Sequence, residues 1–194
     1  MSISNRIHNL APLIAALAIV IPGHAYAAGS VGHHQSAKHG EQDAIAGPMS
    51  FGKPGNVADA DRVIEVVMAD NYFEPETHVV AAGETVHFKV ANRGTLVHEF
   101  NLGTPNYHAA HQDEMVMMQQ HGVLMGDSIN HDMMNMPMGD DGHTMSHDHP
   151  NSVLLEPGDF GDVVWTFTSG GDIEFACNVP GHYAAGMVGA VEVE

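Results

Sequence analysis

The stretch CNVPGHYAAGMVG, from Cys177 to Gly189, decides how the rest of this chain is interpreted. It holds the only cysteine, and its ligand-type side chains follow as Cys177, His182 and Met187, with four residues between successive members. A thiolate, an imidazole and a thioether on one short loop can converge on a single ion. Because soft sulfur combined with imidazole nitrogen selects copper, the loop indicates a copper site that lacks one further ligand.

A second imidazole is available at His98, within GTLVHEFNLG. Side chains of a strand alternate between its two faces, so His98 shares an apolar face with Phe100, and Cys177 shares one with Phe175. Met187 begins the apolar face of the last strand. A single inward His or Met is ordinarily a core residue, but four ligand types at compatible spacing indicate one metal site at one end of the fold.

The strand pattern also predicts the fold class. Strand signals begin at Arg62, and the run 85–91 alternates, with Val86, Phe88 and Val90 on one face. Short strands at regular spacing, Gly and Pro in the turns, and no alternation of strands with helices predict an all-β antiparallel β-sandwich.

The two motifs GTLVHEF and CNVPGHYAAGM together resemble the type 1 (blue) copper proteins, the cupredoxins related to plastocyanin, azurin and pseudoazurin. The resemblance covers residues 62–102 and 153–194. It implies a Greek-key β-sandwich and a single copper centre. It also implies that His182 is the solvent-facing ligand through which electrons pass. Glu99 departs from these families, which often carry an Asn there that holds the metal loop and tunes the sulfur.

The proposed ligands have distinct roles. Cys177 binds as a thiolate, His98 and His182 bind as neutral imidazoles, and Met187 is a long axial ligand. This geometry suits neither oxidation state of copper perfectly, so the metal can change its charge with little movement.

The chain divides into four segments. Residues 1–27 are a predicted signal peptide, in which an apolar run precedes the cleavage pattern Ala-Tyr-Ala. Residues 28–60 form a flexible, His-containing arm that either picks up metal weakly or is a linker with incidental His. Residues 61–194 form the cupredoxin domain, interrupted by an insertion at 104–151. We therefore expect export to the periplasm.

Charge excludes one class of partner. The formal net charge is −18, and no Lys or Arg follows Arg93, so the chain has no basic patch that could neutralise nucleic-acid phosphates. A cation is the natural partner of such a surface, although the same charge also suits an exported monomer kept soluble by self-repulsion. After cleavage of the signal, we expect no membrane association.

The insertion is rich in Met and His. It contains nine of the thirteen methionines: Met115, Met117, Met118, Met125, Met133, Met134, Met136, Met138 and Met145. It also contains His108, His111, His121, His131, His143, His147 and His149. Thioethers and imidazoles are ligands for Cu(I), whereas Ca(II) and Mg(II) do not call for methionine. Between residues 130 and 149 we favour capture of additional copper, the other interpretation being incidental low complexity.

The first half of the insertion has helical spacing. Thr104-Pro105 predicts a helix start, and His108, His111, Met115 and Met118 then fall on one side of the helix. This face indicates either an additional copper site or an amphipathic helix whose methionines pack on the sandwich.

Together these features predict a periplasmic cupredoxin that takes part in copper tolerance, similar to the copper-resistance cupredoxins of Gram-negative bacteria. The type 1 centre would cycle between Cu(II) and Cu(I), with a redox protein as a possible further partner. An electron shuttle for a respiratory or copper enzyme is the alternative function. Because there is only one Cys-His-Met loop, an oxidase or nitrite reductase with several copper centres is disfavoured, and we expect no enzymatic activity.

Overall fold

The computed structural model describes residues 49–137, 142, 144–168 and 170–194. The predicted signal peptide, most of the predicted arm, Met138 and His143 lie outside these residues. The first sheet has the strand order β1 (Gly52–Pro54), β8 (Phe160–Phe167), β5 (Thr85–Asn92), β2 (Arg62–Ala69) and β3 (Tyr72–Glu74). The second sheet has the order β4 (Thr77–Val80), β10 (Val188–Val193), β9 (Ile173–Ala176), β6 (His98–Gly103) and β7 (Ser152–Leu155).

The two sheets pack face to face around one aromatic core. Phe73 of the first sheet lies edge-on to Phe175 of the second, with ring centroids 5.1 Å apart. Phe88 meets Phe100 across the same interface at 5.2 Å. All four rings are almost fully buried, and burial of such side chains is the main favourable contribution to folding. The predicted β-sandwich is therefore confirmed.

The sheets are mixed, whereas the sequence predicted antiparallel pairing throughout. β2 pairs with β5 in parallel, and β4 pairs with β10 in parallel. The remaining strand pairs are antiparallel. Between β2 and β5 the chain passes through β4 of the opposite sheet and returns in the same direction. Alternation of apolar residues predicts a strand but not the direction of its neighbour, which explains the difference.

The sandwich begins earlier than the predicted boundary at residue 61. β1 pairs with β8, and Phe51 packs on Trp165 with ring centroids 5.2 Å apart. Gly52 lies so close that a Cβ there would overlap the Trp165 side chain. A three-residue strand that includes Gly and Pro has no apolar alternation, so its sequence resembled that of a linker.

The insertion begins with a helix, α1 (Pro105–Gln120), and continues to a short helix, α2 (His131–Met134). The Thr104 side chain accepts a hydrogen bond from the Tyr107 amide, and Pro105 occupies the first turn, as the sequence predicted. The buried residues of α1 are His108, His111, Met115 and Met118, which confirms the predicted face. Within the described residues, no helix combines the length and apolar character that crossing a bilayer requires.

Helix α1 lies against β6 and β9, on the side of the second sheet that faces away from the aromatic core. All six residues of β6 are consequently buried, on both faces of the strand. Glu99 and Asn101, which alternate with the core-facing residues, are therefore enclosed between the sheet and the insertion. This position brings polar groups of β6 next to the histidines of α1.

Candidate metal centre

Three donor atoms converge at one end of the sandwich. The His98 Nδ1 lies 3.2 Å from the His182 Nδ1, and the Cys177 Sγ lies 3.8 Å from the former and 3.3 Å from the latter. A point equidistant from three atoms at these separations is about 2.0 Å from each, close to the bond lengths of about 2.0–2.3 Å that a transition metal makes with N and S. The three side chains therefore fit a trigonal metal ion.

Hydrogen bonds within one loop position Cys177, His182 and Met187. Cys177 follows the end of β9, and its amide donates to the carbonyl of Met187 at 3.1 Å, which closes the loop between β9 and β10. The Met187 amide donates in turn to the His182 carbonyl at 3.0 Å. Met187 is fully buried at the base of the loop. Its role as the fourth ligand, like copper binding by the other three, stays a prediction.

Asp70 orients the first imidazole. The His98 Nε2–H donates to the Asp70 carboxylate at 2.9 Å, which leaves the Nδ1 lone pair for a metal. The Thr95 hydroxyl and amide also donate to Asp70, so the carboxylate is fixed. The hydrogen bond from His98 is the main reason that the pKa of Asp70 falls to about 2. Sequence reasoning missed Asp70 because it lies 28 residues before His98, with no motif joining them.

The thiol needs a cation to become a ligand. Cys177 is fully buried, and this burial raises the pKa of its thiol to about 12. The Glu99 amide donates to the Cys177 Sγ at 3.3 Å, which favours the thiolate without outweighing burial. A bound metal ion supplies the charge that stabilises the deprotonated form. His182 is partly buried, and burial lowers its pKa, so it is neutral and available as a ligand.

Curated relatives match most of the chain. Over 150 residues, the chain is 51% identical to a copper-resistant cuproprotein, CopI, of Pseudomonas aeruginosa, covering 75% of this chain and 83% of that protein. It is 38% identical over 163 residues to the copper-resistant cuproprotein CopI of Rubrivivax gelatinosus, covering 84% of each. Residues 44–125 match the family described as Cupredoxin-like domain. The chain belongs to the CopI family of cupredoxins.

Two solved structures to which the chain is similar are auracyanins. One, auracyanin B, has a TM-score of 0.49 and 22% identity, covering 76% of this chain and 96% of that chain. The other, a reduced auracyanin from the photosynthetic bacterium Roseiflexus castenholzii, has a TM-score of 0.48 and 21% identity, covering 70% of this chain and 98% of that one.

In this cupredoxin, Glu99 holds the loop between β9 and β10. One carboxylate oxygen, Oε2, accepts from the Asn178 backbone amide at 3.1 Å and from the Asn178 side chain at 2.9 Å. Asn178 directly follows Cys177, so these bonds fix the position of the thiol. Glu99 thus makes the loop-holding contacts that the resemblance assigned to Asn in related families.

The methionines of the insertion have separate locations. Met115, Met118 and Met145 are buried in the hydrophobic core, which favours the packing alternative for the methionine face of α1. Met133 and Met134 are half-buried against that core. The Met136 side chain is exposed. Binding of copper by these methionines stays a prediction, and Met138 lies outside the described residues.

The histidines of the insertion come together more closely than the methionines. His111 and His147 both contact the Glu99 carboxylate, and His149 lies near Glu114. His108 contacts the Asn178 side chain at 3.2 Å. The remaining candidates are His131, which is exposed on α2, and His143, which lies outside the described residues. The sequence placed no ligand-type role on Glu99 or Glu114, because only the fold brings them to these histidines.

Proposed function

We propose that this protein binds one copper ion through His98, Cys177, His182 and Met187, and that it takes part in copper tolerance. The convergence of two imidazole nitrogens and one sulfur on a point about 2.0 Å from each is the observation that carries this proposal. The names of its relatives, copper-resistant cuproproteins, support it.

The residues around the centre would preserve its geometry. Asp70 holds His98 in the tautomer that presents Nδ1, and the Glu99 amide donates to the sulfur. Glu99 and Asn178 fix the loop on the other side of the thiol. Copper supplies one-electron chemistry between Cu(II) and Cu(I). A ligand set held in place by these contacts reduces the movement that accompanies the change of charge.

We infer that residues 130–138 capture further Cu(I). His131 and Met136 are exposed, and Met133 and Met134 are only partly buried, so their donor atoms lie at or near the surface. Thioether and imidazole donors suit Cu(I). Acidic neighbours such as Asp132 add attraction for a cation.

We also propose export to the periplasm. The apolar run before Ala25-Tyr26-Ala27 is the supporting feature. The periplasm is an oxidising compartment, but Cys177 has no second cysteine in the chain with which to form a disulfide. It lies beside two imidazoles instead, so a role as a metal ligand is compatible with export.

The capture function can be tested without disturbing the core. Deleting the whole insertion would also remove Met115 and Met118 from the hydrophobic core, so point substitutions are preferable. We expect the combined substitutions His131→Asn, Met133→Leu, Met134→Leu and Met136→Leu to lower the number of Cu(I) ions bound per chain. Copper tolerance of cells that depend on this protein should fall as well, while the visible absorption of the type 1 centre is unchanged.

The matched control is Met117→Leu, an exposed methionine on α1 that lies outside this segment. It should leave both measurements unchanged. If the combined variant keeps its Cu(I) stoichiometry and full copper tolerance, the capture function is wrong. The alternative, an electron shuttle, would then be favoured, since partly exposed His182 gives a redox protein access to the centre.

A further inference from the structure

A second group of donor atoms lies on the opposite face of β6 from the type 1 ligands. We call it the carboxylate–imidazole cluster and define it by its residues: Glu99, His111, Glu114, His147 and His149. Successive residues of a strand point to opposite faces, so His98 faces one centre while Glu99 faces the cluster. The insertion provides every other member, from α1 and from the segment that leads into β7.

Three donor atoms of the cluster converge as closely as those of the type 1 site. The Glu99 Oε1 lies 2.8 Å from the Nε2 of His111 and 2.8 Å from the Nε2 of His147. The two imidazole nitrogens are 3.3 Å apart. A small outward movement of each side chain, of a few tenths of an ångström, would place all three atoms about 2.0 Å from one ion.

Glu114 orients His111 in the same way that Asp70 orients His98. The His111 Nδ1 lies 2.9 Å from the Glu114 carboxylate and donates its proton there, which leaves the Nε2 lone pair aimed at Glu99 and His147. Histidines that bind metals ordinarily donate their other ring N–H to a carboxylate. His149 also lies beside Glu114, with its Nε2 3.5 Å from the carboxylate, and its ring is next to that of His111.

Burial makes this arrangement costly without a cation. Glu99 and His111 have no exposed side-chain surface, and the His147 side chain is 2% exposed. The His147 Nδ1 and the His108 Nε2 are buried without a hydrogen-bond partner. The carboxylates of Glu99 and Glu114 thus lie among imidazoles. No Lys or Arg follows Arg93 in the sequence, so the insertion itself contributes no such cation to balance them. Only a proton on an imidazole or a bound cation can neutralise them.

We propose that the carboxylate–imidazole cluster is a second metal site, which binds Cu(II) through Glu99, His111 and His147. Imidazole and carboxylate donors without sulfur suit a divalent ion rather than Cu(I). Among first-row divalent ions, Cu(II) binds such donors most strongly, and Zn(II) is the nearest competitor. The site thus differs in chemistry both from the type 1 centre and from the methionines of the insertion.

The two sites share a residue. The Glu99 amide donates to the Cys177 Sγ, while the Glu99 side chain reaches the cluster. The other carboxylate oxygen of Glu99 accepts from the Asn178 amide, so one peptide unit and one hydrogen bond also connect Cys177 to the cluster. A metal ion in the cluster is therefore directly connected to the type 1 ligands.

The competing explanation is a buried ion pair with no metal. Although burial lowers the pKa of His111, the charge of Glu99 and the hydrogen bond to Glu114 outweigh it and raise this pKa to about 10. In that case the imidazolium neutralises Glu99 permanently. A Cu(II) titration distinguishes the two, because a metal must displace this proton to bind.

The test uses the full chain in the Cys177→Ser background, which removes the blue type 1 signal; copper that the His98 and His182 imidazoles still hold is then common to every variant compared. We expect this variant to bind Cu(II) at the cluster, which adds a tetragonal, non-blue component to its electron paramagnetic resonance spectrum. Adding His147→Asn should weaken Cu(II) binding at the cluster at least tenfold and remove that component of the spectrum. The matched control is His121→Asn, an exposed histidine at the end of α1, which should change neither. Copper held by other histidines of the chain is common to both variants.

Glu114→Gln gives a test that does not remove a ligand. We expect it to weaken Cu(II) binding about 10- to 100-fold, as is usual when the carboxylate partner of a metal-bound His is replaced. Thermal melting of the metal-free variants shows whether each is folded. Equal Cu(II) affinity in folded His147→Asn, Glu114→Gln and His121→Asn variants overturns the proposal. With Cys177 intact, His147→Asn should retain the type 1 absorption. Failure of the second-site proposal would therefore leave the proposed type 1 function standing.

Discussion

The two faces of β6 present two different sets of donor atoms. On one face, His98 meets a sulfur and a second imidazole from a single loop. On the other face, the adjacent residue Glu99 meets two imidazoles from the insertion. The first donor set is soft and suits copper in both oxidation states, whereas the second suits a divalent ion. Alternation along one strand is thus enough to separate two environments that share a backbone.

The two faces also share one device. On each face a carboxylate fixes the orientation of one imidazole: Asp70 fixes His98, and Glu114 fixes His111. In both cases the hydrogen bond determines which ring nitrogen is free. The type 1 loop is sequence-local, whereas the second cluster needs the insertion to fold over β6. A sequence motif is thus sufficient to predict the first group of donor atoms, whereas the second group exists only after the insertion has packed on β6.

The largest expected effect is the loss of the type 1 centre on the first face of β6. Cys177→Ser should abolish the strong visible thiolate-to-copper absorption entirely, because the sulfur that produces it is gone. Visible spectroscopy of copper-loaded protein measures this loss. Survival of the band in the variant would contradict the assignment of Cys177 as a ligand.

A second prediction tests whether the methionine face of α1 packs or binds. Met115→Ala should lower the free energy of unfolding of the metal-free protein by about 2–5 kcal/mol, because it leaves a cavity in the core. Urea denaturation measures the change, and the exposed Met136→Ala variant is the control, with an expected effect near zero. If Met115→Ala keeps its stability and instead loses bound Cu(I), Met115 is a ligand rather than a core residue.

The smallest expected effect concerns the carboxylate that orients His98. Asp70→Asn should weaken copper binding at the type 1 centre about 10- to 100-fold, since the neutral amide accepts a weaker hydrogen bond from the imidazole. Competition with a chelator of known affinity measures the change. Asp127→Asn, an exposed carboxyl group that accepts a hydrogen bond from Ser128 and not from a histidine, serves as the control. Equal affinities for both variants would show that Asp70 does not orient a ligand.

Local patterns predicted much of this structure. Strand parity placed His98 and Cys177 on faces that meet, and helical spacing identified the four buried residues of α1. These predictions succeeded because alternation and the helical repeat depend only on nearby residues. The spacing could not show that α1 divides its buried face between two roles, with Met115 in the core and His111 beside Glu99.

The pairing of strands was harder to predict from the sequence. The sequence predicted antiparallel sheets, but β2 and β5 run in parallel because the chain between them crosses to the other sheet. The same limit applies to β1, whose three residues have no pattern of their own and are recognised only through Phe51 against Trp165. In both cases the deciding contacts join residues that are distant in the chain.

The sequence by itself determined the donor residues Cys177, His182 and Met187 of one loop, the prediction that they share a metal with His98, and the abundance of Met and His in the insertion. Only the tertiary structure decided that Asp70 orients His98, and that Glu99 gathers His111 and His147 from positions 12 and 48 residues further along the chain. The physical reason is that spacing along a strand or helix fixes the direction of neighbouring side chains, whereas a site shared by separate segments exists only once those segments have packed.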